Sequence, residues 1–329
     1  MKKILLLVVC FMIVCMLGAK AQSASAIMLM HQGQAKMYSN QQLPTVINEA
    51  EAGDTIFLSS GVYSVLSGLT IDKPLSIIGT GQNTIISGDV TVNLDSTATI
   101  DCRLLDGLKL THSLNIIQNV NTITIRKCWI SNVLFMRENA GTLMVDRCFA
   151  RSLIPVTGYN GSFSATNSVF YQYGGDESSY QLTGNVELTN CYLHWFYSED
   201  HNGNATFVNS IIANMENSAQ TNMFINCGGD GPMGYSSHGR FESCYSMIGG
   251  TGMGSFDTVT YFPTYNSGAF SSENLRSMGY LGTDGTIIGA EGGNTPYNLT
   301  PSLPTVSQSS FSVDNSTRTL NVTLTVTAE

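Results

Sequence analysis

TITIRKCWI (residues 122–130) is the first clear copy of a pattern that recurs along the middle of the chain. Each copy aligns on one small residue, which we call the anchor. The later copies are TLMVDRCFA (142–150), SFSATNSVF (162–170), NVELTNCYL (185–193), NATFVNSII (204–212), NMFINC (222–227) and GRFESCYSM (239–247). Successive anchors are 17 to 23 residues apart, which is too short for repeats built from helix pairs. The spacing therefore predicts a β-solenoid in which each copy forms one coil.

The pattern within each copy predicts which side chains face the interior. The residues three and five before the anchor are apolar, as Val145 and Leu143 show, and the residue two after it, such as Phe170, is apolar in most copies. Because side chains alternate between the faces of a strand, these positions form one inward stripe that continues past a bend. Four copies carry asparagine just before the anchor: Asn167, Asn190, Asn209 and Asn226. We expect these side chains to satisfy one another and the turn backbone in a stacked ladder.

The asparagine-turn copies and a stretch upstream resemble the right-handed parallel β-helix of the pectin lyase-like superfamily. The upstream stretch is LPTVINEAEAGDTIFLSSGVYSV (43–65) followed by LTIDKPLSIIGTGQNTIISGD (69–89). The resemblance implies an all-β, single-stranded right-handed parallel β-helix, with an amphipathic helix at about 43–52 capping the first coil. It covers about residues 40–260 and is specific for the fold. It says little about activity, because this architecture carries lyases, hydrolases, adhesins and inert surface proteins.

The two ends of the chain have their own signals. Two lysines, an apolar run and a small-residue ending predict a secretory signal peptide at 1–21, cleaved near Ala21 and followed by a secreted or cell-surface protein. The solenoid with its cap is assigned to 22–265, and a closing segment with a β-hairpin tail to 266–329. GTDGTIIGAEGG (282–293) resembles the C-terminal parts of secreted β-helix proteins of Bacteroidetes type. SSFSV (309–313) and TLNVTLTV (319–326) alternate around DNSTR, as the strands of a hairpin do.

Net charge narrows the range of possible binding partners, and the positions of the cysteines indicate their redox state. Without the three lysines of the leader, 12 basic residues remain against 24 acidic ones, so the net charge is −12. Such a surface disfavours nucleic acid and anionic membranes, and it disfavours a polyanionic substrate such as pectate unless a local basic patch or a cation bridges the two. No later segment is apolar enough to span a membrane, and we expect a monomer.

Five of the six remaining cysteines are anchors, which favours buried free thiols over disulfides.

Two acidic loops follow consecutive copies. Asp176 and Glu177 lie 23 residues before Glu199 and Asp200, the same offset that separates the anchors Ser168 and Cys191. The four carboxylates are therefore the predicted metal ligands of a calcium site, the only cofactor we consider. Ordinary solvated loops are the alternative and the one we favour.

The catalytic candidates come from the same loops and from the resemblance. They are Glu199, Asp200 and His201, together with Arg137 at the end of the strand LFMREN. Polysaccharide lyases of the superfamily use Arg or Lys as the base, with carboxylates holding Ca²⁺. Here Tyr159 and Thr183 follow in the column of Arg137, so the basic column is missing. The paired aspartates, the GHG triplet and the RIK run of the pectin hydrolase branch are also missing.

Two outward columns carry the candidate substrate-binding residues. Trp129 and Tyr192 lie one past the anchor, and Arg151, Tyr171 and His194 lie three past it. Outward aromatic side chains form either a platform for sugar rings or an apolar patch that the C-terminal segment covers, and we favour the cover.

Three functions remain open. The favoured one is a non-catalytic secreted or surface protein that associates with extracellular polysaccharide. A calcium-dependent polysaccharide lyase or glycosidase and a structural or adhesive surface module are the alternatives.

Overall fold

The computed structural model describes residues 26–94, 102–136, 140–155, 161–173, 185–197, 204–216, 222–229, 240–242, 244–246, 276, 279–300, 305–314 and 319–327. The described part of the chain is all-β apart from a short helical segment near the N-terminus, and its strands stack in parallel as a β-solenoid. The predicted fold class is confirmed.

Each coil contributes strands to two parallel sheets, and the anchor lies between them. The sheet before the anchor, which we call the leading sheet, contains Thr55–Leu58, Ser76–Ile78, Cys102–Asp106, the second half of Leu114–Arg126, Ala140–Asp146, Ser162–Thr166, Asn185–Thr189, Asn204–Val208, Met223–Ile225 and Arg240–Glu242. The sheet after it, the trailing sheet, contains Gly61–Ser64, Leu69–Ile71, Thr84–Ser87, Val90–Asn93, Lys109–Leu110, the first residues of Leu114–Arg126, Trp129–Met136, Phe149–Pro155, Val169–Tyr173, Tyr192–Tyr197, Ile211–Glu216, Gly228–Gly229 and Tyr245–Ser246. Equivalent positions of successive copies pair directly, as Val145 with Ala165 and Ala165 with Leu188 do.

The bend before the anchor explains the asparagine column. Residues at this position have left-handed backbone conformation, with φ between 46° and 52° in the six coils from Lys127 to Asn226. Asparagine tolerates this conformation better than most residues because its short side chain adds little steric conflict. The column is therefore selected by backbone geometry. Lys127 and Arg147 occupy the same position in the two earlier coils.

The anchors are small, but they also have to be polar. The hydroxyl of Ser210 donates to the carbonyl of Val208 at 2.9 Å and accepts a hydrogen bond from the backbone N–H of Cys191 at 3.0 Å. Ser168 does the same for Thr166 and Cys148. The bend takes the N–H groups of Cys191 and Cys148 out of the sheet ladders, so the serine hydroxyl supplies their acceptor. The carbonyls of Val208 and Thr166 also accept the backbone N–H of Asn190 and of Arg147. A thiol can take the same place as a weaker donor.

Five cysteines confirm the prediction of free thiols. Cys128, Cys148, Cys191, Cys227 and Cys244 are buried and unbridged. Burial raises the pKa of Cys191 to about 12, so this thiol stays protonated and unreactive.

The interior stripe is filled as the alternation predicts. The residues three and five before the anchor are buried, and five phenylalanines are fully enclosed: Phe163, Phe170, Phe196, Phe207 and Phe224. The rings of Phe207 and Phe224 stack on successive coils, with centroids 4.8 Å apart and planes 4° from parallel. This distance matches the spacing of adjacent strands in a sheet.

A helix seals the N-terminal end, as the resemblance implied. Leu43–Glu49 follows a 3₁₀ turn at Asn40–Gln42 and buries Leu43, Val46 and Ile47 against the first coil. The Nζ of Lys73 donates to the carbonyls of Ile47, Asn48 and Ala50 at 2.9 to 3.1 Å. These bonds satisfy acceptors that a helix leaves unpaired at its C-terminal end.

Two hairpins lie outside the coils. Ala26–His31 and Gln34–Ser39 form an antiparallel pair, and Ala26–His31 also pairs with Thr55–Leu58, so this hairpin extends the leading sheet at its first coil. Thr305–Asp314 and Thr319–Thr327 form the second hairpin, which confirms the predicted tail. No helix in the described ranges is long and apolar enough to cross a membrane.

Candidate functional site

A segment near the C-terminus covers part of the trailing sheet. Residues 279–297, which we call the strap, place Tyr280, Ile287, Ile288 and Ala290 in one buried cluster with side chains from the column one past the anchor. Those side chains are Phe149, Val169, Tyr192 and Ile211. The strap therefore supplies the cover that the aromatic column was expected to need.

The bend asparagines hold the strap. Thr283 donates its N–H to Oδ1 of Asn209 at 2.9 Å, and the Nδ2 of Asn209 donates to Oγ1 of Thr283 at 3.2 Å. Nδ2 of Asn167 donates to the carbonyl of Ala290 at 3.0 Å and to that of Gly292. These amides thus bind the strap rather than one another, which differs from the expected ladder.

Glycines let the strap backbone approach the solenoid. A Cβ on Gly282 would lie 2.5 Å from Cγ of Asn209, and one on Gly289 would lie 2.5 Å from Cδ1 of Ile211. Gly289 also has φ +90°, a conformation that glycine adopts without strain. Close docking therefore accounts for Gly282 and Gly289, whereas Gly279 and Gly285 have open space around the Cβ position and positive φ.

Beside the strap, a strip of the trailing sheet stays open. Arg151, Tyr171 and His194 lie three past their anchors on consecutive coils, because Ala150 pairs with Phe170 and Phe170 with Leu193. Tyr171 and His194 stack with ring centroids 4.6 Å apart and planes at 23°. The hydroxyl of Tyr192 lies 3.4 Å from Nδ1 of His194. Burial lowers the pKa of His194, so its imidazole is neutral at pH 7.

Ring orientation decides what this strip can bind. Because Tyr171 and His194 stack from coil to coil, their planes lie across the solenoid axis and their edges face outward. Trp195 stands at 84° to His194, with centroids 5.9 Å apart, so its ring plane runs along the axis instead. Its side chain is 37% exposed. The strip therefore combines one exposed indole with the polar edges of a tyrosine and a histidine.

Sequence reasoning missed Trp195. The available signal was its column, since Gln172, Trp195 and Asn214 pair in register four residues past their anchors. We call Arg151, Tyr171, His194 and Trp195 the open strip.

The other two predicted substrate-binding residues lie under or beside the strap. Trp129 stacks on Phe149 with centroids 4.0 Å apart and is partly buried against the strap cluster. Tyr192 is only 2% exposed, and this burial raises the pKa of its phenol. A sugar ring has no access to the buried ring of Tyr192 while the strap is docked.

The predicted acidic cluster lies outside the described residues, as do Arg137 and His201. The strands that flank the acidic loops are described. Tyr173 pairs with Phe196 where the chain enters the two loops, and Asn185 pairs with Asn204 where it returns. Asp176 and Glu199 each come three residues after a member of the first pair. In the described ranges, no group of three or more His, Cys, Asp or Glu residues could hold a metal ion.

Comparisons with known proteins add no family. No family model matches this chain, and no curated protein matches it. The class is thus defined by architecture alone: an all-β parallel solenoid with a capping helix, a docked strap and one open strip.

Proposed function

We propose that this protein is a secreted or cell-surface, non-catalytic β-solenoid that binds extracellular polysaccharide on the open strip. The observation that carries the proposal is the exposure and orientation of Trp195 beside two polar aromatic edges. Sugar rings stack their C–H faces on exposed indoles, while neighbouring hydroxyl, imidazole and guanidinium groups bind their hydroxyls. The capping helix and the bend asparagines support, within the same proposal, a relationship to the pectin lyase-like solenoids.

The chain's two tryptophans make this proposal testable by fluorescence. The variant Trp129→Phe leaves Trp195 as the only tryptophan. Glycans that bind the wild type on an array should shift or quench its emission in a saturable way. Trp195→Ala should weaken binding by at least about 2- to 12-fold, since aromatic stacking contributes about 0.5–1.5 kcal/mol beyond the area it buries.

A matched control removes exposed apolar surface elsewhere. Met144 is 44% exposed on the leading sheet, so Met144→Ala should leave glycan binding unchanged. If Trp195→Ala binds the array hits as tightly as wild type, the open strip is not the glycan site.

A calcium-dependent lyase or glycosidase is the second candidate, and one observation favours it. Tyr173 pairs with Phe196 on the neighbouring coil, and Asp176 and Glu199 each follow three residues later in the sequence. In this proposal Asp176, Glu177, Glu199 and Asp200 hold Ca²⁺, and the catalytic group comes from Glu199, Asp200, His201 or Arg137.

The enzymatic proposal predicts a calcium-dependent activity. Polysaccharide digests read at the absorbance of unsaturated uronides, and by reducing ends, should show product with Ca²⁺ and none with EDTA. Glu199→Gln with Asp200→Asn should remove both the activity and any calcium-induced rise in melting temperature. A melting curve that calcium does not move rules out the calcium site.

A further inference from the structure

Positive charge is concentrated in one part of this acidic chain. Seven of the 15 Lys and Arg residues fall between residues 103 and 151, against only three of the 24 Asp and Glu residues. The described members of this group include three cations at the bend of two adjacent coils: Arg126, Lys127 and Arg147. We call them the bend cations.

Two carboxylates face the bend cations. Arg126 donates from Nε and Nη2 to Oδ2 of Asp106 at 3.1 and 2.8 Å. Arg147 donates in the same way to Oδ2 of Asp146 at 3.0 and 2.7 Å. Among the described side chains, this bend thus holds three cations and the two carboxylates of Asp106 and Asp146. Within the described residues, Nη1 of neither arginine donates a hydrogen bond, and the two side chains remain 17% and 18% exposed.

Lys127 makes this cluster electrostatically unusual. It is only 6% exposed, and burial, followed by the charges of Arg147 and Arg126, lowers its pKa. Lys127 and Arg147 also hold the left-handed conformation that four later coils give to asparagine. A non-glycine residue in this conformation carries a steric cost, and strain of this kind is often retained for function.

We propose that the bend cations form a binding site for a compact oxyanion, sulfate or phosphate, either free or as an ester on a polymer. The partly exposed guanidinium edges provide paired donors suited to such an anion, and the buried ammonium provides a fixed charge. An anion there relieves the repulsion between Lys127 and Arg147. The site lies one to two coils before Asn167, where the strap is bound, and does not depend on the open strip.

The test variant is chosen from the asparagine column. Arg147→Asn installs the residue that four other coils carry at this position, so the fold is expected to persist. Arg276→Asn removes the same charge from an exposed residue outside the cluster and is the control. Melting temperature is followed against sodium sulfate and sodium phosphate at 0 to about 5 mM, with ionic strength held constant by sodium chloride.

The wild type and the control should show a saturable rise in melting temperature, since a ligand that binds only the folded state stabilises it. Arg147→Asn should bind at least about tenfold more weakly, because it loses charge-assisted hydrogen bonds. Lys127→Asn is measured as the second variant. Dextran sulfate distinguishes the sources: an esterified ligand binds and is displaced by free sulfate, whereas a free-ion site ignores the polymer. A wild type without a saturable response to either anion, or an Arg147→Asn variant with an unchanged response, overturns the proposal.

Discussion

Replacing Asn209 and Asn190 separately by alanine measures how firmly the strap is held. The two asparagines have nearly the same backbone conformation, with φ of 50° and 52°. Alanine therefore brings the same left-handed strain to both positions, about 1 kcal/mol. The side chains differ in their partners. Asn209 exchanges two hydrogen bonds with Thr283, whereas Oδ1 of Asn190 is buried and accepts none within the described residues.

The difference between the two variants isolates the two hydrogen bonds to Thr283, because both side chains lie against strap glycines, Asn209 against Gly282 and Asn190 against Gly293. Each of the two lost hydrogen bonds contributes about 1 kcal/mol net, so Asn209→Ala should be less stable than Asn190→Ala by about 2 kcal/mol. In a chain of this size that corresponds to a gap of roughly 3 °C in melting temperature. Burial of the Ile211 side chain should also decrease, because Gly289 docks beside it.

Urea unfolding and amide hydrogen exchange of residues 279–297 are the appropriate measurements. Asn209→Ala should lose protection in the strap while the coils keep theirs. Equal stability of the two variants to within about 0.5 kcal/mol would refute the view that bend asparagines act by holding the strap.

Three further predictions concern other parts of the fold. Lys73→Met should lower the free energy of unfolding by about 1–3 kcal/mol, because three helix carbonyls lose their donor; urea titration measures it. Nδ1 of His31 donates to Oδ1 of Asp54 at 2.8 Å, and this bond raises the pKa of His31 above 6.5. The stabilisation is complete below pH 6.5 and lost as pH rises through the raised pKa, so His31→Gln should flatten the pH dependence of melting there. Ser210→Ala should lower the free energy of unfolding by about 1–3 kcal/mol, because the N–H of Cys191 loses its acceptor. Ser210→Cys should lower it less, because the thiol still accepts from that N–H. Thermal unfolding of both variants measures the difference.

Local sequence patterns were sufficient to predict those parts of the structure that depend on local geometry. The spacing of anchors and the alternation around Val145 predict the coils, the buried stripe and their register. The hairpin around DNSTR follows from a short-range signal of the same kind, whereas the helix at Leu43–Glu49 was implied by the resemblance of the upstream stretch. The coils repeat and the hairpin closes within a few residues, so periodicity describes them.

Other features depend on partners far away in the chain. Asparagine before the anchor predicts a bend, yet nothing in the repeat indicates that Asn167 binds Ala290. The polar requirement at Ser168 arises from two backbone groups on different coils. The orientation of Trp195 depends on where the chain turns after His194, and periodicity does not encode that angle. Site residues were therefore predicted less completely than the fold.

The strap also sets an order of assembly. Its bonds to Asn167 join residues 123 and 125 positions apart, so they form only after synthesis has passed residue 292. Until then the stacked coils display Phe149, Val169 and Tyr192 as an uncovered apolar stripe, the kind of surface that promotes aggregation. A polypeptide that ends before residue 279 keeps this stripe permanently. Docking of the strap therefore distinguishes chains that contain residues 279–297 from shorter ones, because only the shorter chains present the uncovered apolar stripe.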